Sequence, residues 1–130
     1  MVGNGMAGCR TLEELLKLEP EMYDITVFGA EPHPNYNRIL LSPVLAGEMT
    51  LPDIVLNDHA WYRDNGITLH AGKKVAKIDR KAQRVIAEDG TEAGYDRLLL
   101  ATGSSPFILP VTGKDLPGVI AYRDIADTEA

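Results

Sequence analysis

Three groups of residues in this chain are of the types that hold a nucleotide. The first is Gly3-Asn4-Gly5-Met6-Ala7-Gly8, a Gly-x-Gly-x-x-Gly run. The first glycine of such a run permits a tight turn, the second lets backbone approach a pyrophosphate, and the third lets helix and strand pack closely. The helix that starts there aims its unpaired amides at the phosphates. Alone the run is a weak signal, since glycine-rich helix starts also occur without a ligand. Glu31 strengthens it: it lies 23 residues past Gly8, close to the spacing of about 20 at which a carboxylate holds ribose hydroxyls. A solvated loop acid is the plainer alternative. The run, the spacing and the surrounding strand-helix-strand pattern together favour the ribose. A carboxylate there also repels a 2′-phosphate.

The second and third groups lie further along. Arg38, within Pro34-Asn35-Tyr36-Asn37-Arg38-Ile39-Leu40-Leu41-Ser42, is a fixed cation with a bidentate fork suited to phosphate oxygens. Taken by itself it is equally a surface charge. Tyr36 would pack on a ring or plug the loop. Leu98-Leu99-Leu100-Ala101-Thr102-Gly103 reads as a strand whose small end lets something large pass close by, a cofactor or another strand. His33, His59 and His70 share no metal spacing, and Trp61 and Tyr62 read as packing groups.

These residues need elements to place them. Residues 11–18 carry Leu12, Leu15, Leu16 and Leu18 at helical spacing, and Pro20 ends the run. Residues 24–28 are β-branched and apolar, a buried parallel strand closed by Gly29. Only Met1-Val2 precede the glycine run, so the strand that should feed it is cut to a stub. Residues 31–38 read as a loop, and a helix is expected from Ser42-Pro43, a cap followed by proline. Residues 52–65 look helical up to Gly66, and 67–70 form a strand. Alternation over 74–79 and 84–88 predicts a hairpin, with a further tight turn at Asp89-Gly90. Residues 97–101 read as a second buried parallel strand and 119–122 as a last strand, and Asp124 would cap a helix. The fold class expected is three-layer α/β of Rossmann type, a parallel sheet plus a small antiparallel layer, with the first strand truncated.

Composition narrows the partners. The net charge of -6 disfavours nucleic acid and anionic membrane. No stretch has the roughly 18 consecutive apolar residues of a membrane span, and no signal peptide is visible, so a cytoplasmic setting is expected. The single cysteine, Cys9, rules out an internal disulfide or a cysteine-ligated cluster within these 130 residues and reads as a small buried group on the first helix.

In this order the three groups resemble the two-dinucleotide-binding-domain flavoproteins, the pyridine nucleotide–disulfide oxidoreductase superfamily. Asn4-Gly5-Met6-Ala7-Gly8, Tyr36-Asn37-Arg38-Ile39-Leu40-Leu41-Ser42 and Tyr122-Arg123-Asp124-Ile125 resemble one family within it. That family is the large subunit of bacterial NAD(P)H-dependent nitrite reductase, and the resemblance runs over essentially the whole chain. It implies that residues 1–130 are a partial FAD-binding domain, without its first strand and without the downstream nicotinamide-binding and redox domains. It places Gly3, Gly5, Met6, Ala7 and Gly8 at the FAD pyrophosphate and Glu31 on the adenosine ribose. Arg38 and Ser42 would lie along the pyrophosphate and towards the flavin, the Val75 backbone at adenine, and Ala101, Thr102 and Gly103 beside the cofactor.

In the whole family protein, hydride passes from NAD(P)H to FAD and electrons continue through a 4Fe–4S cluster to siroheme, which reduces nitrite to ammonium. One cysteine cannot ligate such a cluster. No catalytic residue or metal ligand is expected here, and the isolated piece is expected to catalyse nothing. The expected partners are FAD and the remainder of the enzyme, and the cut first strand suggests a homo-oligomer formed by strand exchange. Many relatives place a lysine near the flavin where Pro43 stands. Two other readings stay open: a rubredoxin or ferredoxin reductase-like flavoprotein, and a non-catalytic nucleotide-binding or interaction module.

Overall fold

The structure, a computed structural model, describes residues 1–130. Its elements are α1 (Met6–Leu18), β1 (Thr26–Phe28), β2 (Asn35–Tyr36), α2 (Leu41–Leu45), β3 (Val55–Asn57), α3 (His59–Asp64), β4 (Thr68–His70), β5 (Val75–Asp79), β6 (Arg84–Ala87), β7 (Glu92–Gly94) and α4 (Ile125–Glu129). They fall into two compact units. The first holds Met1–Tyr36 and Val55–Gly103, the second Asn37–Ile54 and Ser104–Ala130.

In the first unit β1 and β4 pair in parallel, with Val27 opposite Leu69. Successive side chains of a strand face opposite ways, and β1 uses both faces. Val27 packs with Cys9, Leu12, Tyr62 and Ile67 under α1 and α3. Phe28 packs with Val2 and with Val85 and Ala87 of the antiparallel layer β5-β6-β7. Helices, parallel strands and antiparallel strands therefore form three layers, as expected. Val2, just before the glycine run, is paired on both sides. Val2 bridges Phe28 on one side and Leu100 on the other, both in parallel. Its amide donates to the Leu99 carbonyl at 2.9 Å, and its carbonyl accepts from the Ala101 amide at 2.8 Å. The slot between these neighbours is filled from within one chain, so their pairing there needs no exchanged strand.

Several elements differ from the sequence expectation. Residues 97–101 form no buried strand: Leu100 makes only the bridge to Val2 and is 58% exposed. Residues 52–65 are not one helix. A 3-10 turn at Leu51–Ile54 leads into β3, and α3 starts afresh where the Asp58 carboxylate accepts from the Trp61 amide at 2.8 Å. β3 pairs with β2, in the segment read as a loop. The hairpin is present and carries a third strand, β7, reached through the Gly90 turn.

The second unit is built from short pieces. A 3-10 turn at Arg38–Leu40, capped by Asn37, precedes α2. That helix starts at Leu41 without a side-chain cap, so Ser42-Pro43 lies inside its first turn rather than before it. α2 packs against α4, whose Ile125 is buried. Asp124 caps α4 as predicted, in a reciprocal capping box with Asp127. Residues 119–122 form no strand.

Candidate nucleotide-binding site

The glycine run leaves the Val2 stub and enters α1. Gly3 has φ +101°, and a Cβ there would sit 2.1 Å from the Ala101 carbonyl oxygen. Its turn is therefore closed against the strand end that the sequence placed beside the cofactor. Gly8 is buried, and a Cβ on it would meet Met1 Sδ at 2.9 Å and Ala101 Cβ at 3.1 Å. This is the close helix packing expected of the third glycine. Gly5 differs from both: a Cβ there would meet nothing within 4 Å. It is the N-cap of α1, with no side-chain cap and no acid in the first turn. The amides of Met6, Ala7 and Gly8 thus receive no capping oxygen from a side chain, and the backbone at Gly5 faces open space.

Glu31 leaves the same sheet edge. The Gly3 amide donates to the Phe28 carbonyl at 2.9 Å, so the glycine turn and the segment after β1 emerge side by side. The Glu31 carboxylate accepts from the Tyr36 hydroxyl at 2.6 Å, and its carbonyl accepts from the Gly72 amide at 2.9 Å. Tyr36 is therefore an orienting group for Glu31. Val75 opens β5 and packs its side chain on the Val2, Phe28, Val85 and Ala87 cluster. Thr102 and Gly103 follow Ala101 and are exposed.

Ten of the twelve predicted residues thus share the first unit; Arg38 and Ser42 lie in the second. There Arg38 Nη1 donates to the Arg123 carbonyl at 2.8 Å, and Arg123 Nε donates to the Ser104 carbonyl at 2.8 Å. Ser42 is exposed on α2. The structure holds no cluster of metal-ligating side chains, and no helix is long and apolar enough to cross a membrane.

Sequence reasoning missed the residues behind the turn. Asn4 points inward: its Oδ1 accepts from the Tyr62 hydroxyl at 2.7 Å and from the Cys9 thiol at 3.3 Å. Its Nδ2 donates to the His33 carbonyl at 3.3 Å. The Asn4 side chain crosses Gly29, where a Cβ would lie 2.9 Å from Asn4 Cβ. Burial pushes the Tyr62 hydroxyl well above its ordinary pKa, reinforced by its bond to Cys9, and burial likewise raises the Cys9 thiol. Both groups keep their protons at neutral pH. Tyr62 is a packing residue, as read, but its hydroxyl has a second task. The one signal for it in the sequence was the choice of tyrosine over phenylalanine in an apolar setting.

Comparison with known proteins fits this geometry. The family signature described as pyridine nucleotide-disulphide oxidoreductase matches residues 1–130. The chain is 54% identical over 130 residues to the assimilatory nitrate reductase electron transfer subunit of Bacillus subtilis (strain 168), covering 100% of this chain and 17% of that protein. It is also 54% identical over 129 residues to the NAD(P)H nitrite reductase of the same organism, covering 99% of this chain and 16% of that one. Among solved structures, the ferredoxin reductase for the CYP199A2 system from Rhodopseudomonas palustris matches with a TM-score of 0.88 at 26% identity, over 98% of this chain and 31% of that chain. The chain spans about one sixth of the length of these two curated relatives.

Proposed function

The chain belongs to the pyridine nucleotide-disulphide oxidoreductase family, and on that premise we propose that it binds FAD as the electron-accepting part of an NAD(P)H-dependent nitrite reductase large subunit. The observation that carries this reading is the uncapped start of α1 at Gly5, open to solvent, on the same sheet edge as the oriented carboxylate of Glu31. The donor set suits the cofactor. Helix amides and a positive dipole end match a pyrophosphate, and a carboxylate accepts from a ribose diol. Bound FAD supplies hydride acceptance and onward electron transfer. The chain's own residues bind and orient it. Gly3, Gly5, Met6, Ala7 and Gly8 face the pyrophosphate, Glu31 takes the ribose, the Val75 backbone meets adenine, and Ala101, Thr102 and Gly103 run beside the cofactor. Arg38 and Ser42, carried by the second unit, are further proposed ligands.

Two relatives of equal identity bear names that differ in what they supply, nitrite reductase and nitrate reductase electron transfer. The second of these names includes electron transfer, the role proposed for this chain. The nitrite branch is favoured by the Tyr-Asn-Arg-Ile-Leu-Leu-Ser and Tyr-Arg-Asp-Ile runs. The 4Fe–4S cluster, siroheme and nicotinamide chemistry belong to the rest of such an enzyme, and the setting is cytoplasmic. A ferredoxin reductase-like flavoprotein is the second reading, favoured by the TM-score of 0.88. It ranks lower because the biphenyl dioxygenase system ferredoxin--NAD(+) reductase component of Paraburkholderia xenovorans is 37% identical to this chain, against 54% for the Bacillus subtilis nitrite reductase.

Titration of the purified chain with FAD, followed by flavin fluorescence, tests the proposal. Saturable binding is expected. Glu31→Ala, which removes a charged acceptor, should raise Kd about ten- to a hundredfold, and Arg38→Ala should also raise it. A folded chain that leaves FAD fluorescence unchanged would sink the reading.

A further inference from the structure

We propose that Tyr62 is a positioning residue for the phosphate cradle, acting through Asn4 from the buried side of the glycine turn; this rests on the FAD reading above. Asn4 stands between the two glycines whose backbone shapes the cradle. Glycines restrict φ and ψ little, so a turn of this kind keeps its shape only if something else holds it. Here the hold is a carboxamide with three hydrogen bonds. Asn4 Oδ1 accepts from the Tyr62 hydroxyl at 2.7 Å and the Cys9 thiol at 3.3 Å, while Nδ2 donates to the His33 carbonyl at 3.3 Å. The bond from Tyr62 is the shortest of the three and spans 58 positions of sequence.

Tyr62 is itself fixed. It is 2% exposed, and its hydroxyl accepts from the Asn35 amide at 3.3 Å. Asn35 Nδ2 donates to Asn57 Oδ1 at 2.7 Å, and Asn57 Nδ2 donates to Glu13 Oε1 at 3.0 Å. A line of hydrogen bonds therefore runs from Glu13 on α1, through β3, β2 and α3, to the carboxamide inside the turn. A buried hydroxyl is unfavourable unless paired. This one is paired on the residue that sets where the backbone of Gly3 and Gly5 lies. Neither Asn4 nor Tyr62 needs to touch the cofactor to govern its affinity.

The test is a double-mutant cycle read in FAD affinity, with circular dichroism confirming the fold of each variant. Tyr62→Phe removes the hydroxyl and keeps the ring; Asn4→Ala removes the other end of the same bond. Each should raise the Kd for FAD about tenfold. If Tyr62 acts through Asn4, the double variant should bind no more weakly than Asn4→Ala alone. A general loss of packing would instead make the two losses multiply, and that result overturns the inference. So does wild-type affinity in a folded Tyr62→Phe chain, or in Asn4→Ala should Tyr62→Phe not fold. In each of those cases the wild-type chain still binds FAD, and only this inference fails. A folded wild-type chain that binds no FAD removes both readings.

Discussion

At the level of single residues, the three glycines of the opening run do separable jobs, and substitution should separate them. Gly3 has φ +101° and no room for a Cβ, because the nearest atom would be the Ala101 backbone oxygen at 2.1 Å. Backbone cannot swing aside as a side-chain tip can. Gly3→Ala should therefore lower Tm sharply, combining left-handed strain of about 1–3 kcal/mol with a displaced strand end. Gly5 has φ -90° and open space around the Cβ position. Gly5→Ala should cost about 1 kcal/mol or less in stability, yet its methyl would stand where the pyrophosphate is proposed to lie. Thermal denaturation and FAD titration on the two variants should give opposite patterns: Gly3→Ala loses the fold, Gly5→Ala loses the ligand. Unchanged affinity in Gly5→Ala would mean that the cofactor does not approach this backbone. The glycines and Glu31 were legible in the sequence because their signal is local spacing. Asn4 and Tyr62 were not, because their partnership depends on α3 folding back under the turn.

At the level of elements, the antiparallel layer offers a pH test. The Lys73 ammonium and the Thr91 amide both hydrogen-bond Asp89, holding its carboxyl down to about 2. A carboxyl whose folded pKa lies below its unfolded value of about 3.9 stabilises the fold fully above that value. The contribution fades as pH falls through about 2. Asp89→Asn should therefore lower Tm slightly at neutral pH and flatten the acid limb, the two proteins converging near the bottom of that window. Both partners are well exposed, so the difference should be small and should shrink with added salt. Calorimetry across pH at two salt concentrations reads it, and parallel acid limbs would show that the pair does nothing for folding. This hairpin was visible in advance because alternation and Asp89-Gly90 are local signals. Residues 52–65 were misread for the opposite reason. β3 exists only through pairing with β2, some twenty residues upstream, and side-chain periodicity carries no trace of a distant partner.

At the level of the whole molecule, the three layers of the first unit followed from the pattern of strands and helices, whereas the division into two units did not. The second unit is assembled from residues 37–54 and 104–130. Its α2–α4 contact joins segments far apart in sequence, and its turns carry little periodicity. The functional prediction at this scale concerns what the chain can do once loaded with flavin. Hydride transfer needs a nicotinamide held against the isoalloxazine, and within this fold family each dinucleotide takes its own glycine-rich turn. These 130 residues hold one Gly-x-Gly-x-x-Gly run, and the proposal assigns it to FAD. The FAD-loaded chain should therefore be bleached by dithionite, while NADH reduces it no faster than it reduces free FAD. Stopped-flow absorbance at the flavin band distinguishes the two cases. Slow reduction fits a nicotinamide site outside these 130 residues; rapid reduction by NADH would mean that one of these two units also holds the nicotinamide, without a glycine-rich turn of its own.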